Sequence, residues 1–342
     1  MGTKKESMKA LVLKEYKAWE EQDMTPSVVE IPKPKAGEVL IQAKAASINP
    51  VDYIVISGVV DAWAKPSPLT PGYDVSGVVV DVGSDVTDFK VGDEVFAVNW
   101  ALDEGQQSGQ HDDNAKDTKT KGPVAGTFAE YCVIPAKKVS KKNPAVSFEE
   151  AAAIALVGTT ALQSLKHLDL GKGKTVLVLG GSGSVGNIAV QLAKVMGAEV
   201  ITTASSRTEA YVKAAGADKI INYRKEKWEE VLKDVDAVMD AIGEEKAFER
   251  SKKIVKEGGS YLSIKTFDTG LDPTAHAPQF KYACWYCLKN NVKDQDYLME
   301  LLATKKLKVN VEKKVPFTKE GLTELFKVQS AGKSMGKNVI VF

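Results

Sequence analysis

Cysteine is scarce in this chain: three residues in 342, Cys132, Cys284 and Cys287, too few for a disulfide framework. Cys284 and Cys287 form the CxxC of CWYC. With no second pair nearby, that spacing reads as two small apolar residues in an aromatic segment ahead of a redox pair or half a metal site. Neither charge sign dominates, with 46 Lys plus Arg against 45 Asp plus Glu, so no bulk electrostatic reason exists for binding nucleic acid or an anionic membrane. No run of about 20 apolar residues is present, and no transmembrane segment is expected. The opening MGTKKESMKALVLK lacks an apolar signal segment, which sets the expectation of a cytoplasmic protein. His111 sits in a polar stretch between Gln110 and Asp112, with no cysteine or second histidine nearby, so no metal site is expected there.

What is present centres on Lys174 to Gly186, KTVLVLGGSGSVG. The apolar run Val176 to Leu179 reads as a strand, and Gly181, Gly183 and Gly186 follow as GxGxxG. Val185, Ile188, Ala189, Leu192, Ala193 and Met196 then recur at helical spacing. A strand, a glycine turn and a helix leave the first helical amides pointing at the turn, a geometry that suits a pyrophosphate. The GK[ST] ending of nucleotide triphosphatases is missing. A second strand, Glu199 to Thr203, leads into Ala204-Ser205-Ser206-Arg207. An NAD-specific domain usually carries an acid near this point to hold the ribose hydroxyls. Here Arg207 can pair with a 2'-phosphate and Ser205 can hydrogen-bond to it, with Tyr223 available from the neighbouring strand. NADPH is the expected cofactor; the competing reading makes Arg207 the start of a solvated helix.

Upstream, Met8 to Leu13 and Glu38 to Ala46 are strand-like, and Asn49-Pro50-Val51-Asp52-Tyr53 gathers polar side chains at a strand exit. Further short apolar runs around Tyr73 to Val80 and Val91 to Val95 suggest a compact β-rich domain. The stretch from Asp103 to Gly122 reads as a polar surface loop. Phe148 to Leu156 and Thr159 to Leu168 read as two helices, with Ser147 and Glu150 as a capping box. Lys246 to Val255 reads as a helix and Tyr261 to Ile264 as a strand, which puts Asp240 and Ser263 at strand ends along the cofactor crevice. Phe267 to Leu288 carries Phe280, Tyr282, Trp285 and Tyr286, which suit either an acceptor pocket or a subunit contact. A last strand, Asn338 to Phe342, would return the chain to its first domain. The expected fold class is α/β, a β-rich domain (1–145 and 305–342) plus a Rossmann-type domain with a doubly wound parallel sheet (146–304).

Asn49-Pro50-Val51-Asp52, Pro71 to Gly77, Val91 to Val95, Gly126 to Tyr131, Gly158 to Ala161 and Gly181 to Gly186 span nearly the whole chain. As an ordered set they resemble the zinc-independent quinone oxidoreductases of the medium-chain dehydrogenase/reductase superfamily. The resemblance implies a bilobed protein whose GroES-like domain is completed by the C-terminal segment, NADPH binding in the cleft, and a homodimer. Zinc alcohol dehydrogenases of the superfamily carry a cysteine near the position of Asn49 and Gly-His-Glu at the position of Gly72-Tyr73-Asp74; neither soft ligand is present here, and no metal is expected.

The remaining chemistry is hydride delivery to an electrophilic acceptor, a quinone or the carbon–carbon double bond of an enone or enal. Asn49, Tyr53 and Tyr73 are the candidate catalytic residues: Asn49 as a hydrogen-bonder to ribose or substrate oxygen, Tyr53 to orient substrate or relay a proton, Tyr73 as pocket wall. Thr160, Gly181, Gly183, Ser184, Val185, Gly186, Ser205, Arg207, Tyr223, Ser263 and Lys337 are the candidate cofactor contacts. Mitochondrial-type enoyl thioester reductases tend to carry a tyrosine shortly after Ser57-Gly58, where this chain has Val59-Val60, so their proton-donor role does not transfer directly. A non-enzymatic NADPH-binding or RNA-associated scaffold is the alternative of a different class.

Overall fold

The computed structural model describes residues 6–58, 67–100, 103, 126–265 and 279–342. Val59, Val60, His111 and Phe267 lie outside the described residues. The chain divides into two compact units, one made of Met1–Leu156, Lys289–Ala303 and Val309–Phe342, the other of Val157–Leu288 and Thr304–Lys308.

In the first unit a seven-stranded sheet runs in the order Val311–Pro316, Lys337–Val341, Glu38–Ser47, Asp74–Val82, Glu94–Val98, Val139–Lys141, with Tyr131–Pro135 also paired to Glu38–Ser47. Glu38–Ser47 is its organising strand. Val39, Ile41 and Ala43 pack among Val75, Val79, Val95 and Ile134, while Ala46 joins a second cluster with Leu11, Leu13, Phe128, Phe326 and Ile340. Strand side chains alternate between faces, so one strand serves two cores. The last strand pairs antiparallel with it, Val339 opposite Ser47 and Ile340 opposite Ala46. That register carries Lys337 to the exit of Glu38–Ser47, where the amide of Ile48 donates to the carbonyl of Asn338 at 3.1 Å.

In the second unit six parallel strands follow the order Lys219–Asn222, Glu199–Ala204, Thr175–Leu179, Val235–Asp240, Val255–Ser263, Phe280–Trp285. Numbered along the chain this is 3-2-1-4-5-6, the doubly wound nucleotide-binding order. The order reverses between Thr175–Leu179 and Val235–Asp240, which opens a crevice at their carboxyl ends. Val176 to Leu179 are all buried, as expected of a parallel strand covered on both faces.

Two elements differ from the sequence expectation. Phe148–His167 is one helix and not two; Gly158 costs a helix only about 1 kcal/mol, and buried Ala151 to Ala155, Leu162 and Leu165 offset it. Ser147 and Glu150 form the expected capping box, each amide donating to the other side chain at 3.0 and 3.2 Å. Helix Ala247–Ser251 stops early, because Val255 already begins a strand that passes through Gly258 and Gly259. A Cβ on Gly259 would stand 2.7 Å from the carbonyl oxygen of Asp236, so glycine allows the strand to continue there with a shift of register. The aromatic segment supplies the sixth strand, Phe280–Trp285, with Phe280 and Ala283 packed on the sheet's core. Among the described residues no helix is long and apolar enough to cross a membrane.

Ile340 is fully buried between the final strand and the Phe326 cluster. Ile340→Ala is expected to lower the unfolding free energy by about 2–4 kcal/mol, read from chemical denaturation; the same truncation at exposed Val28 should stay within about 0.5 kcal/mol.

Candidate functional site

The strand Thr175–Leu179 ends in Gly180 at φ 79°, a left-handed conformation that glycine adopts without steric cost. Two further glycines are required by close approach. A Cβ on Gly181 would stand 2.0 Å from Oγ1 of Thr202 on the next strand, and one on Gly186 would stand 2.2 Å from the carbonyl oxygen of Gly180. Gly183 differs, since a Cβ there would meet only the Gly180 carbonyl oxygen, at 3.5 Å. The helix Ser184–Val195 begins at this glycine with no side-chain cap. Its first turn carries the amides of Ser184, Val185 and Gly186 next to the open side of Gly183, the form expected of a pyrophosphate cradle. The residues present fit a dinucleotide.

At the carboxyl end of Glu199–Ala204, Ser205 is buried and its hydroxyl lies 3.3 Å from Oγ1 of Thr208. The sequence reading placed Ser205 toward the phosphate; the structure shows it engaged in the turn that starts helix Glu209–Ala214. Arg207 is exposed. Asn222 pairs with Ala204 in register, which brings Tyr223, 54% exposed, to the neighbouring strand end, where the guanidinium of Arg224 lies 5.9 Å from its ring. Asn222 donates to the hydroxyl of Ser206 at 2.9 Å. Basic and hydroxyl groups thus gather where an acid would hold a ribose.

Across the crevice, Asp240 ends its strand fully buried. One of its oxygens accepts from the amides of Ile242 and Gly243 at 3.0 and 2.8 Å, the other from the amide of Glu244 at 3.1 Å. Burial holds this carboxyl above its ordinary range. Ser263, expected to touch cofactor, is buried with its hydroxyl 3.4 Å from Asp240. The turn seats Ile242 against Gly180: a Cβ on that glycine would fall 2.2 Å from Cγ2 of Ile242. Thr160 is buried in helix Phe148–His167.

The three proposed catalytic side chains and Lys337 belong to the first unit, where a buried polar cluster forms that sequence reading did not assemble. Asn49, Asp74 and Ser47 are fully buried, and Lys337 is 3% exposed. Oδ2 of Asp74 accepts from Oγ of Ser47 at 2.5 Å, from Nδ2 of Asn49 at 2.8 Å and from Nζ of Lys337 at 3.4 Å. Oδ1 of Asp74 accepts from the amide of Leu156 at 2.9 Å, and Ser47 also lies 3.2 Å from the carbonyl of Ala152. The helix thus meets the cluster at two backbone groups one turn apart, the amide of Leu156 and the carbonyl of Ala152. Lys337 donates to the carbonyl of Ile48 at 2.7 Å and to Oδ1 of Asn49. Beside the cluster, Asp52 accepts from the amide of Asn49 at 2.7 Å and that of Gly72 at 3.1 Å. Burial raises the Asp74 carboxyl and lowers the Lys337 ammonium, each opposed by the other's charge.

Tyr53, in helix Pro50–Ile56, packs on the Phe326 cluster with burial raising its phenol. Tyr73 is buried with its ring centroid 4.9 Å from that of Trp100. Among the described residues no group of three or more His, Cys, Asp or Glu is placed to hold a metal ion. Cys284 and Cys287 are buried, and burial pushes the Cys284 thiol up to about 11, so it stays protonated and unreactive at neutral pH.

Burial pushes the Asp52 carboxyl up to about 7 from its ordinary 3.8, against the pull of the Asn49 amide. The folded chain therefore holds this proton more tightly than the unfolded one. The resulting stability is complete below the unfolded value and is lost as pH rises through about 7. Relative to Asp52→Asn, wild-type stability should decline by on the order of a few kcal/mol between about pH 4 and 7, measured by urea unfolding at each pH; a flat or rising difference would contradict the assignment.

Comparison with known proteins places both units. Residues 35–144 match the alcohol dehydrogenase GroES-like domain, and residues 184–282 match the zinc-binding dehydrogenase family. The chain is 36% identical over 336 residues to the 2-methylene-furan-3-one reductase of Solanum lycopersicum, covering 95% of this chain and 79% of that one. It is 34% identical over 341 residues to the chloroplastic NADPH-dependent alkenal/one oxidoreductase of Arabidopsis thaliana, covering 97% and 81%. Among solved structures, the quinone oxidoreductase from Coxiella burnetii matches with a TM-score of 0.84 at 29% identity, over 98% of this chain and 99% of that one. A GroES-like unit, a 3-2-1-4-5-6 nucleotide unit and relatives matched along nearly the full chain agree: the chain belongs to the medium-chain dehydrogenase/reductase superfamily and is an oxidoreductase of a fold that binds a nicotinamide cofactor.

Proposed function

We propose that the protein transfers hydride from NADPH to a quinone without zinc. The observation that carries the cofactor choice is the pair of adjacent strand ends that present Arg207 and Tyr223 with no carboxylate at the usual ribose position. Bound NADPH supplies the hydride. The glycine turn with Ser184, Val185 and Gly186 would hold the pyrophosphate, Arg207 and Tyr223 the 2'-phosphate side with Ser205 in the turn behind them, and Thr160 and Ser263 would support the nicotinamide half. In the first unit Asn49 hydrogen-bonds ribose or substrate oxygen, and Tyr73 walls the acceptor. The Tyr53 phenol, protonated at neutral pH as phenols are and held further in that state by burial, orients the acceptor or passes a proton to the reduced product; solvent is the other source. Hydride and one proton together convert a quinone to its hydroquinone.

Zinc independence is supported by the donor set. Oδ1 of Asn49 accepts from Lys337 while its Nδ2 donates to Asp74, and the Asp74 carboxyl accepts from four groups. A buried ammonium in contact with both residues disfavours a divalent cation there. We further propose a cytoplasmic homodimer.

A second reading, reduction of the carbon–carbon double bond of enones or enals, is favoured by the names of the two plant relatives matched along most of the chain. Hydride at the β-carbon and a proton at the α-carbon would complete that reaction. Anaerobic NADPH oxidation against matched quinones and short enones, with NADH as control and product identification, separates the two. Hydroquinone formation supports the first reading, saturated ketone or aldehyde the second, and tight NADPH binding with no turnover a scaffold.

Arg207→Ala is expected to raise KM for NADPH about tenfold or more, the loss of one charge-assisted phosphate contact, while KM for NADH changes less than twofold. Equal effects on the two cofactors would remove Arg207 from the phosphate site.

A further inference from the structure

Lys337 enters the sequence reading as a cofactor contact, yet its ammonium is spent inside the first unit. An ammonium has three N–H groups, and three acceptors surround this one: the carbonyl of Ile48 at 2.7 Å, Oδ1 of Asn49, and Oδ2 of Asp74 at 3.4 Å. Burying that charge is costly unless it is paired and fully hydrogen-bonded. The charge has a use at Asn49. A carboxamide is nearly symmetric in shape, so packing does not distinguish its two flipped orientations, while hydrogen bonding does. Asn49 lies between a cation and an anion. Only one orientation turns Oδ1 to Lys337 and Nδ2 to Asp74; the flipped one sets oxygen against carboxylate and N–H against ammonium. The bond donated to Asp74 occupies one of the two N–H groups of Nδ2, which leaves the second with its direction fixed.

We propose that Lys337 is a positioning residue: with Asp74 it locks the Asn49 carboxamide in one orientation, so that the second Nδ2 N–H stands as a preset donor to an oxygen of ribose or acceptor. This inference rests on the role given to Asn49 above. Preset donors raise rate without reorganisation at the moment of reaction, so the lock should act on kcat.

The test is a cycle of Lys337→Met and Asn49→Ala in the full chain, with NADPH affinity by fluorescence and melting temperature alongside kcat. Lys337→Met is expected to lower kcat at least tenfold in the wild-type background, with NADPH affinity within about threefold, and to have no further effect on kcat in the Asn49→Ala background. An equal drop in both backgrounds overturns the lock and leaves Lys337 a stabilising residue. Should Lys337→Met fail to fold, side-chain amide NMR of the wild type decides. One slowly exchanging pair of Nδ2 proton signals, assigned by its loss in Asn49→Ser, is expected; two orientations in exchange, or exchange as fast as for exposed Asn143, overturns the proposal. A wild type without NADPH-dependent turnover sinks the functional reading itself, and the NMR result still stands or falls alone.

Discussion

The constraint on which the first unit depends is the burial of unlike charges from distant parts of the chain. Asp74 and Lys337 lie 263 positions apart in sequence and 3.4 Å apart in space. Neither is tolerable in an apolar interior alone, and removing one partner of such a pair typically costs about 3–5 kcal/mol. Ser47, Asn49 and the Leu156 amide complete the shell of Asp74. With Asp52 holding its proton below about pH 7, the cluster carries one carboxylate against one ammonium. Organising strand, final strand and helix Phe148–His167 all contribute groups to this point, so the pair fixes their register more narrowly than apolar packing would.

The second unit meets a different constraint, backbone approaching backbone. Gly181 and Gly186 are required because protein atoms already stand where their Cβ would be, whereas Gly183 faces space. The first two are demanded by the fold, and the third is the one at which a ligand can come close. Asp240 performs the equivalent task with a carboxylate. It collects the amides of a turn that would otherwise be unsatisfied and so sets Ile242 against the glycine turn. The far end of that turn is tied down by Glu244, which accepts from Nε1 of Trp228 at 3.0 Å and pairs with Arg250.

Much of the nucleotide unit was legible because its signals are local. A β-branched run, three glycines at fixed spacing and a helical period all fall within about 20 residues of chain, and the structure assembles them as strand, turn and helix. The polar cluster was not legible, since Lys337 and Asn49 are 288 positions apart and only strand register brings them together. The half capping box of Asp52 on the Asn49 amide was a signal that the polar side chains after Glu38–Ser47 turn inward. The strand in the aromatic segment was missed for a different reason. Phe280–Trp285 has strand alternation, but aromatic side chains suit a pocket as readily as a half-covered edge strand.

The order in which the chain is made gives the final strand another meaning. Every described strand of the nucleotide sheet lies before residue 286, so that sheet can close before Lys337–Val341 has been made. The GroES-like unit cannot, because Lys337–Val341 sits between Val311–Pro316 and Glu38–Ser47. Asp74 must wait for its counterion until Lys337 emerges. Although most of its strands are synthesised first, that unit is the second to be completed, reversing the usual N-terminal-first course of folding during synthesis.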